Sequence, residues 1–221
     1  MRALVFDAYG TLFDVASVVA ACESVSPAPE PFAALWRAKQ LEYAFLRTLM
    51  DRYQDFWRVT AAALQYTLKR QGLTATNEQK TRLMNAWLSL QPFPEVPETL
   101  QRLSHYPRLI LSNGSPVMLS QLLKNTQLEA AFDAVLSVDA VRRYKPSPQV
   151  YELAVRQLGC APREIVFLSA NGFDVAGAKA FGFTVCWVNR ASVPLDELDV
   201  APDAEIRTLA DLPHALTTLS E

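Results

Sequence analysis

Four polar side chains follow short apolar runs, and together they form a set that could catalyse a reaction on a small molecule. Asp7 follows the first run, Ser112 the second, Lys145 a third after a short loop, and Asp174 lies just beyond a fourth. A carboxylate, a hydroxyl, an amine and a second carboxylate are groups of nucleophilic and acid–base catalysis. Each one alone could be a turn former, a helix start or a solvated charge, but their joint order predicts a site.

A parallel sheet is the element that would bring these side chains together. Short runs rich in Val, Ile, Leu and Phe alternate with helical patterns, which is typical of βαβ units. The predicted strands are residues 3–6, 109–111, 134–137, 165–168 and 184–188, and the helices between them are 117–124, 148–158 and 175–181. The first strand lacks polar alternation and is expected at the centre. Ligands of such sheets bind beyond the carboxyl ends of the strands.

The chain between the first and second strands shows only helical periodicity. Amphipathic patterns cover residues 31–52, 54–71 and 77–90, with Gly72 as a stop and Asn77 as a cap residue. A βαβ crossover needs only about a dozen residues, so this long segment predicts a helical insertion. We therefore expect an α/β fold class, with a parallel-sheet core and an inserted helical cap domain. The predicted domains are a core of residues 1–14 and 94–221 and a cap of residues 15–93.

Composition and charge exclude several classes of protein. Of the 221 residues, 50% are hydrophobic and 20% are charged, a mix that can bury a core, which excludes a disordered or fibrous chain. The net charge of −2 predicts no nucleic-acid partner and no attachment to a membrane. The apolar stretch before Asp7 is too short for a signal peptide, and three widely spaced cysteines without a CxxC motif favour a reducing, cytoplasmic location.

The order of these motifs resembles the haloacid dehalogenase superfamily over nearly the whole chain. Residues 7–11, DAYGT, are similar to its first motif, Ser112 to its second, Lys145 to its third, and residues 169–174, SANGFD, to its fourth. The resemblance implies a Rossmann-like core with an inserted cap. It also implies that Asp7 is a covalent nucleophile.

Two departures from the phosphatases of that superfamily are informative. Their first motif reads D-x-D, and its second aspartate protonates the leaving alkoxide, whereas this chain has Tyr9 there, whose type has an ordinary pKa of about 10. Their fourth motif carries an acidic pair that helps to hold Mg²⁺, whereas here the first of the pair is Ala170. A halide leaves without protonation, so both departures fit dehalogenation. Residues 36–43, WRAKQLEY, resemble the L-2-haloacid dehalogenase branch in particular.

The resemblance to that branch implies a role for each matched residue. Asp7 attacks the halogen-bearing carbon, Lys145 orients Asp7, and Asp174 holds Lys145. Arg37 meets the departing halide, and water then hydrolyses the aspartyl ester, so that an L-substrate gives a D-2-hydroxy acid. The implied catalytic residues are Asp7, Thr11, Arg37, Ser112, Lys145, Tyr151, Ser169, Asn171 and Asp174. The implied substrate-binding residues are Ala8, Tyr9, Arg37, Leu41, Phe56, Ser112, Asn113 and Phe173.

The same resemblance implies no cofactor and no metal, with a short halogenated carboxylic acid and a halide ion as partners. It also suggests a homodimer through cap helices, although packing on the core explains the apolar faces of residues 31–71 equally well. Two alternatives stay open. One is a phosphatase or phosphonatase on the same scaffold, and the other is a non-catalytic binding protein that keeps the fold.

Overall fold

The structure is a computed structural model that describes residues 1–219. Within these residues the strands are β1 (Ala3–Phe6), β2 (Phe13–Asp14), β3 (Gln91–Pro92), β4 (Arg108–Ser112), β5 (Ala134–Ser137), β6 (Ile165–Ser169), β7 (Thr184–Val188) and β8 (Ala204–Ile206). Six of them form one sheet in the order β5-β4-β1-β6-β7-β8, and every neighbouring pair is parallel.

Helices connect and flank the strands, as expected for βαβ units. In the described part of the chain they are α1 (Val19–Cys22), α2 (Pro29–Leu49), α3 (Phe56–Arg70), α4 (Asn77–Ala86), α5 (Val96–Arg102), α6 (Pro116–Thr126), α7 (Pro148–Leu158), α8 (Gly172–Phe181) and α9 (Leu212–Thr218). Pro116 and Pro148 each open a helix, where the missing proline N–H costs no hydrogen bond.

β1 lies inside the sheet because its four residues are apolar and can be buried on every side. Val5 lies opposite Leu109 of β4 on one side and opposite Phe167 of β6 on the other. Because β1 has a strand on each side and both of its faces are buried, polar residues cannot alternate with apolar ones along it. The first polar residue after it, Asp7, therefore emerges at the carboxyl edge of the sheet, between two other strand ends.

The helical insertion begins and ends at a two-stranded antiparallel ribbon. Phe13 of β2 pairs with Pro92 of β3, and Asp14 pairs with Gln91. The helices α1–α4 lie between these two strands in the sequence. Both ends of the insertion therefore leave the core at the same place.

Buried hydrogen bonds fix α2 against α3. The indole Nε1 of Trp36 donates to the backbone oxygen of Thr60 at 2.9 Å, and Nε2 of Gln40 donates to the Thr60 hydroxyl at the same distance. All three residues are fully buried. Because a buried polar group without a partner is costly, these pairs favour one relative placement of the two helices.

The ends of the insertion helices follow ordinary capping rules. Gly72 follows α3 with a φ of +65°, which glycine adopts without strain, and the predicted stop is confirmed. The prediction of Asn77 as the cap residue of α4 is wrong by one position. The Thr76 hydroxyl accepts from the Gln79 backbone N–H at 3.1 Å, and the Gln79 side chain accepts from the Thr76 N–H at 2.8 Å. This capping box makes Asn77 the first helical residue.

The predicted α/β fold class, a parallel sheet with helices and β1 at an inner position, is confirmed. The differences concern short elements. The pattern does not predict α1, α5, α9 or β8, because each has few residues, and β8 is a three-residue edge strand with Glu205 at its centre. The helix predicted over residues 77–90 ends at Ala86. Across residues 1–219 no helix combines the length and apolarity that a membrane span requires.

Candidate active site

Asp7 lies at the carboxyl end of β1 and is 5% exposed. Its backbone N–H donates to the Leu168 oxygen at 2.9 Å, which continues the pairing of β1 with β6 by one residue. The carboxylate is thus placed by the most enclosed part of the sheet rather than by a free loop. Such a position favours a reproducible geometry for the reacting oxygen.

Lys145 bridges two buried carboxylates. Its Nζ donates to Asp7 Oδ1 at 2.9 Å and to Asp174 Oδ2 at 2.8 Å, and its side chain is 1% exposed. Burial alone would lower the pKa of Lys145, but the charges and hydrogen bonds of Asp174 and Asp7 outweigh burial, and the pKa lies above its ordinary value. The backbone N–H of Lys145 donates to Asn113 Oδ1 at 2.9 Å, so the loop after β4 positions the lysine.

Two neutral donors hold the other oxygen of Asp7. The Thr11 hydroxyl donates to Asp7 Oδ2 at 3.0 Å, and Asn171 Nδ2 donates to the same oxygen at 2.9 Å. Thr11 Oγ1 also accepts from the Ala170 N–H at 2.9 Å, and Asn171 Nδ2 also contacts the Tyr9 backbone oxygen at 3.0 Å. The two carboxylate oxygens therefore have different environments, an ammonium at one and neutral donors at the other, which fixes the plane of the carboxylate.

Asp174 is the anchor of Lys145. Its Oδ1 accepts from the Tyr151 hydroxyl at 2.8 Å, while its Oδ2 accepts from Lys145. Burial raises the pKa of Asp174 to about 6, against the opposing effect of the Lys145 ammonium. The pKa of Asp174 thus lies above its ordinary value, and the ionised form is the one that holds the lysine.

Two buried serines shape the loops after β4 and β6. Ser112 Oγ accepts from the Gly114 N–H at 3.1 Å, and Ser169 Oγ accepts from the Asn171 N–H at 3.2 Å. Both side chains are fully buried. Each serine tightens the turn that carries a neighbouring site residue, and its hydroxyl hydrogen stays free to donate.

The aromatic side of the site joins core and insertion. The Tyr9 ring lies 5.8 Å from Phe56 and 6.1 Å from Trp87, measured between ring centroids. The Arg37 guanidinium lies 5.8 Å from the Trp87 ring centre. Burial lowers the pKa of Arg37, and the negative charge of Asp7 opposes this effect. Ala8, which precedes Tyr9 in the chain, is fully buried.

The hydrogen bonds of the site link Asp7, Thr11, Asn113, Lys145, Tyr151, Ser169, Asn171 and Asp174, whereas Phe173 and Leu41 lie outside this network. Phe173 packs on Phe45, with ring centroids 5.1 Å apart, and lines a cavity of about 460 Å³ that also touches Lys145. Leu41 is half-buried on α2, one turn after Arg37. Neither has a hydrogen-bonding role, which suits the apolar contacts expected of them.

Sequence reasoning missed Trp87 and Arg190. Trp87 looks like an ordinary core residue because its helix face is apolar. Arg190 Nη2 donates to the Thr11 backbone oxygen at 3.0 Å, and its Nη1 forms an ion pair with Glu95. Arg190 follows β7 by two residues, so the strand-end rule that found the other site residues also points to it.

The donor set does not fit a resident divalent cation. The Asp7 and Asp174 carboxylates accept hydrogen bonds from Lys145, and Ala170 supplies no oxygen from its side chain. Among residues 1–219, no group of three or more His, Cys, Asp and Glu side chains is arranged to hold a metal ion. Hard cations need several oxygen ligands, and this site offers its oxygens to N–H and O–H donors instead.

Comparison with known proteins agrees with this geometry. The sequence model of the haloacid dehalogenase-like hydrolase family matches residues 1–182. The chain belongs to this family. The (S)-2-haloacid dehalogenase of Xanthobacter autotrophicus is 50% identical to this haloacid dehalogenase-like hydrolase over 193 residues, which cover 87% of this chain and 76% of that protein.

Two solved structures place this haloacid dehalogenase-like hydrolase near one branch of the family. The L-2-haloacid dehalogenase from Xanthobacter autotrophicus has a TM-score of 0.95 at 42% identity and covers 99% of both chains. A structure of L-2-haloacid dehalogenase from the same organism with chloropropionic acid covalently bound has a TM-score of 0.93 at 42% identity and covers 98% of both chains. The resemblance inferred from the motifs is therefore confirmed.

Proposed function

We propose that this protein is an (S)-2-haloacid dehalogenase, a hydrolase of carbon–halide bonds that needs no metal. It converts short L-2-haloalkanoic acids to D-2-hydroxy acids through an ester of Asp7. The single observation that carries this proposal is the Asp7 carboxylate, buried at the end of β1 and fixed by Lys145, Thr11 and Asn171. The covalent chloropropionate adduct of a relative with the same fold supports it.

In the first step, an Asp7 oxygen attacks the Cα that carries the halogen. The O–Cα bond forms while the carbon–halogen bond breaks, and the halide leaves with the bonding electrons. The configuration at Cα inverts once. The Arg37 guanidinium offers positive charge where the halide develops its negative charge, and the Ser112 hydroxyl can donate to the substrate carboxylate.

In the second step, water attacks the carbonyl carbon of the Asp7 ester. Cleavage of the acyl–oxygen bond releases the 2-hydroxy acid and a proton and restores the Asp7 carboxylate. Asn171 Nδ2, which contacts Asp7 Oδ2, is the donor that can stabilise the ester oxygen during this attack. Because Cα is not touched again, the inverted configuration is kept.

The residue at position 9 argues against a phosphatase. A phosphate ester with an alkoxide leaving group needs an acid there, and burial raises the pKa of Tyr9 far above its ordinary value. A phenol of that kind gives up its proton poorly. A halide needs no proton, so the same residue is compatible with dehalogenation.

The experiment compares the wild type with Asp7→Asn on L-2-chloropropionate, with chloride release as the measurement. We expect the Asn variant to lose more than about 10³-fold in rate, because it lacks the nucleophile. Asp14→Asn is the matched control, since that carboxylate only accepts from the Ala16 N–H and should leave the rate unchanged. One wild-type turnover in H₂¹⁸O should label Asp7 before the product.

Three results would contradict the proposal. They are the absence of chloride release by the wild type, near-normal release by the Asp7 variant, and label that reaches the hydroxy acid first. A phosphatase would instead hydrolyse p-nitrophenyl phosphate and lose activity in EDTA. A non-catalytic binding protein would turn over neither compound.

We also propose that residues 15–93 act as a cap on the core formed by residues 1–14 and 94–221, and that the protein is cytoplasmic. Three free, buried cysteines are compatible with a reducing compartment.

We further propose that the protein is a homodimer. The exposed apolar end of α2 supports a dimer through cap helices, since Leu49 is 81% and Met50 is 59% exposed. Leu49→Glu should convert dimers to monomers in sedimentation experiments, and an unchanged mass would contradict this interface.

A further inference from the structure

Four buried side-chain donors have no acceptor among residues 1–219, namely the Tyr9 hydroxyl, the Trp87 indole Nε1–H and the Nε–H groups of Arg108 and Arg190. The two arginines bind acceptors through their other nitrogens, whereas Tyr9 and Trp87 have no second side-chain donor. Tyr9 is 2% exposed and Trp87 is fully buried. Buried polar groups are hydrogen-bonded in almost every case, so two unpaired donors in one aromatic wall point to an acceptor that arrives with a ligand.

Arg37 is a third donor group of the same wall. Its guanidinium lies against the Trp87 ring, and its hydrogen bond to Gln40 Oε1 is long, at 3.4 Å. No carboxylate of the described chain forms a salt bridge with it. Arg37 is partly buried, and the Asp7 carboxylate acts on it without forming an ion pair, so the guanidinium can still take an anion as a direct partner.

Trp36 is a neighbouring buried tryptophan whose indole N–H has an acceptor, and it serves as a comparison for Trp87. Its ring packs on Trp87 with the centroids 5.6 Å apart, and its Nε1 donates to the Thr60 oxygen. The two tryptophans are equally buried, yet only Trp36 has an acceptor. Trp87 thus differs from Trp36 in lacking an acceptor, and it lies next to Tyr9 and Arg37.

We propose that the Tyr9 hydroxyl and the Trp87 indole N–H bind the departing halide together with Arg37. This inference rests on the proposed function and adds two catalytic donors to it. Three donor groups among aromatic rings, of which Tyr9 and Trp87 have no acceptor of their own, suit a weakly hydrated monovalent anion such as a halide. The substrate carboxylate, in contrast, is met by Ser112 and the loop after β4.

The role of each donor follows from the charge that it meets. The halogen of the bound acid carries little charge, and the halide carries a full negative charge once the bond to Cα is broken. Hydrogen bonds from Tyr9 and Trp87 therefore strengthen along the reaction and accelerate the first step. A small halide accepts a stronger hydrogen bond than a large one, so the two donors accelerate the release of chloride more than the release of iodide.

The experiment uses the resting enzyme and sodium bromide as the probe. Tyr9→Phe and Trp87→Phe each keep an aromatic ring and remove one donor, and Trp36→Phe is the matched control. Calorimetric titration should show bromide affinity lowered about 10-fold by each of the first two changes and unaltered in the control. With 2-halopropionates, kcat should fall about 10-fold for chloride and less for bromide and iodide, with little change in KM.

The possible results separate the alternatives. Weaker binding of propionate, with bromide affinity unchanged, would assign the donors to the carboxylate and overturn the proposal. Unchanged bromide affinity in both variants would also overturn it, even if the enzyme turns over haloacids normally. If the wild type consumes no haloacid but loses bromide affinity in both variants, the anion site stands and the proposed function fails.

Discussion

Removal of the Tyr151 hydroxyl would test whether Tyr151 affects Lys145 through Asp174. This hydroxyl donates to Asp174 Oδ1 at 2.8 Å, and both residues are almost fully buried. Tyr151→Phe removes the donor and keeps the ring that packs on Phe167 and Phe183. The ionised form of Asp174 loses a hydrogen bond, whereas its protonated form loses little, so the pKa of Asp174 must rise.

The size of this effect follows from the geometry. A hydrogen bond to a charged group is worth about 1.5–3 kcal/mol, and one pKa unit corresponds to about 1.4 kcal/mol. The pKa of Asp174, about 6 in the wild type, should therefore move up by about 1–2 units in the variant. Since ionised Asp174 holds Lys145, activity falls as the pH drops through this pKa. At pH 7 the variant should lose about 2- to 10-fold in rate and regain most of it at higher pH.

The assay is the pH dependence of kcat/KM for chloride release from L-2-chloropropionate. Tyr144→Phe is the matched control, because that buried hydroxyl donates at 2.6 Å to the backbone oxygen of Gln54 and not to a carboxylate. The control should lose about 1 kcal/mol of stability and keep the wild-type pH profile. A uniform loss at every pH in Tyr151→Phe, or an acid limb that stays where it was, would refute the coupling of Tyr151 to the lysine.

Two further changes probe the placement of the same groups. Lys145→Met leaves Asp7 and Asp174 buried without a cation, and thermal unfolding should show a loss of about 3–5 kcal/mol together with a loss of chloride release. An unchanged melting temperature would contradict the bridging role. Gly114→Ala would place a Cβ 2.9 Å from the Tyr9 ring and hydroxyl, so kcat should fall by at least about 10-fold even if the protein stays folded, and full activity would show that Tyr9 can shift freely.

The strands and their polar ends could be predicted from the sequence because a doubly covered parallel strand has one strong signature, a run of apolar residues. Residues 3–6 and 184–188, two such strands, match their observed bounds. The edge strand β8 gives no such signal, since it has three residues and Glu205 is at its centre, whereas the other edge strand, β5, has the apolar run of residues 134–136 and is predicted. The predicted start of α4 was wrong by one residue because Thr76 and Asn77 are both good N-cap residues. Thr76 is the N-cap because its hydroxyl and backbone pair with Gln79 in a capping box.

The partners of the site residues were harder to predict than the residues themselves. The strand ends place Asp7, Lys145 and Asp174 near each other. Their opposite charges then predict the observed pairing of Lys145 with both carboxylates. The sequence does not show which of Trp36 and Trp87 has an acceptor for its indole N–H, because both have the spacing of core residues. Their difference lies in whether the backbone oxygen of Thr60 is within reach, and that depends on the packing of α2 on α3.

The ribbon formed by β2 and β3 has a consequence for how this architecture can vary. Asp14 and Gln91 are direct neighbours across the ribbon, so a tight hairpin turn of two residues could join them in place of everything between. The sheet would keep its strand order and Asp7 would keep its place, while Arg37, Phe56 and Trp87 would be removed together. We therefore expect that the helices around the site can be exchanged without moving the nucleophile, and that a different set of helices joined at the same two residues would give the same carboxylate a different range of substrates.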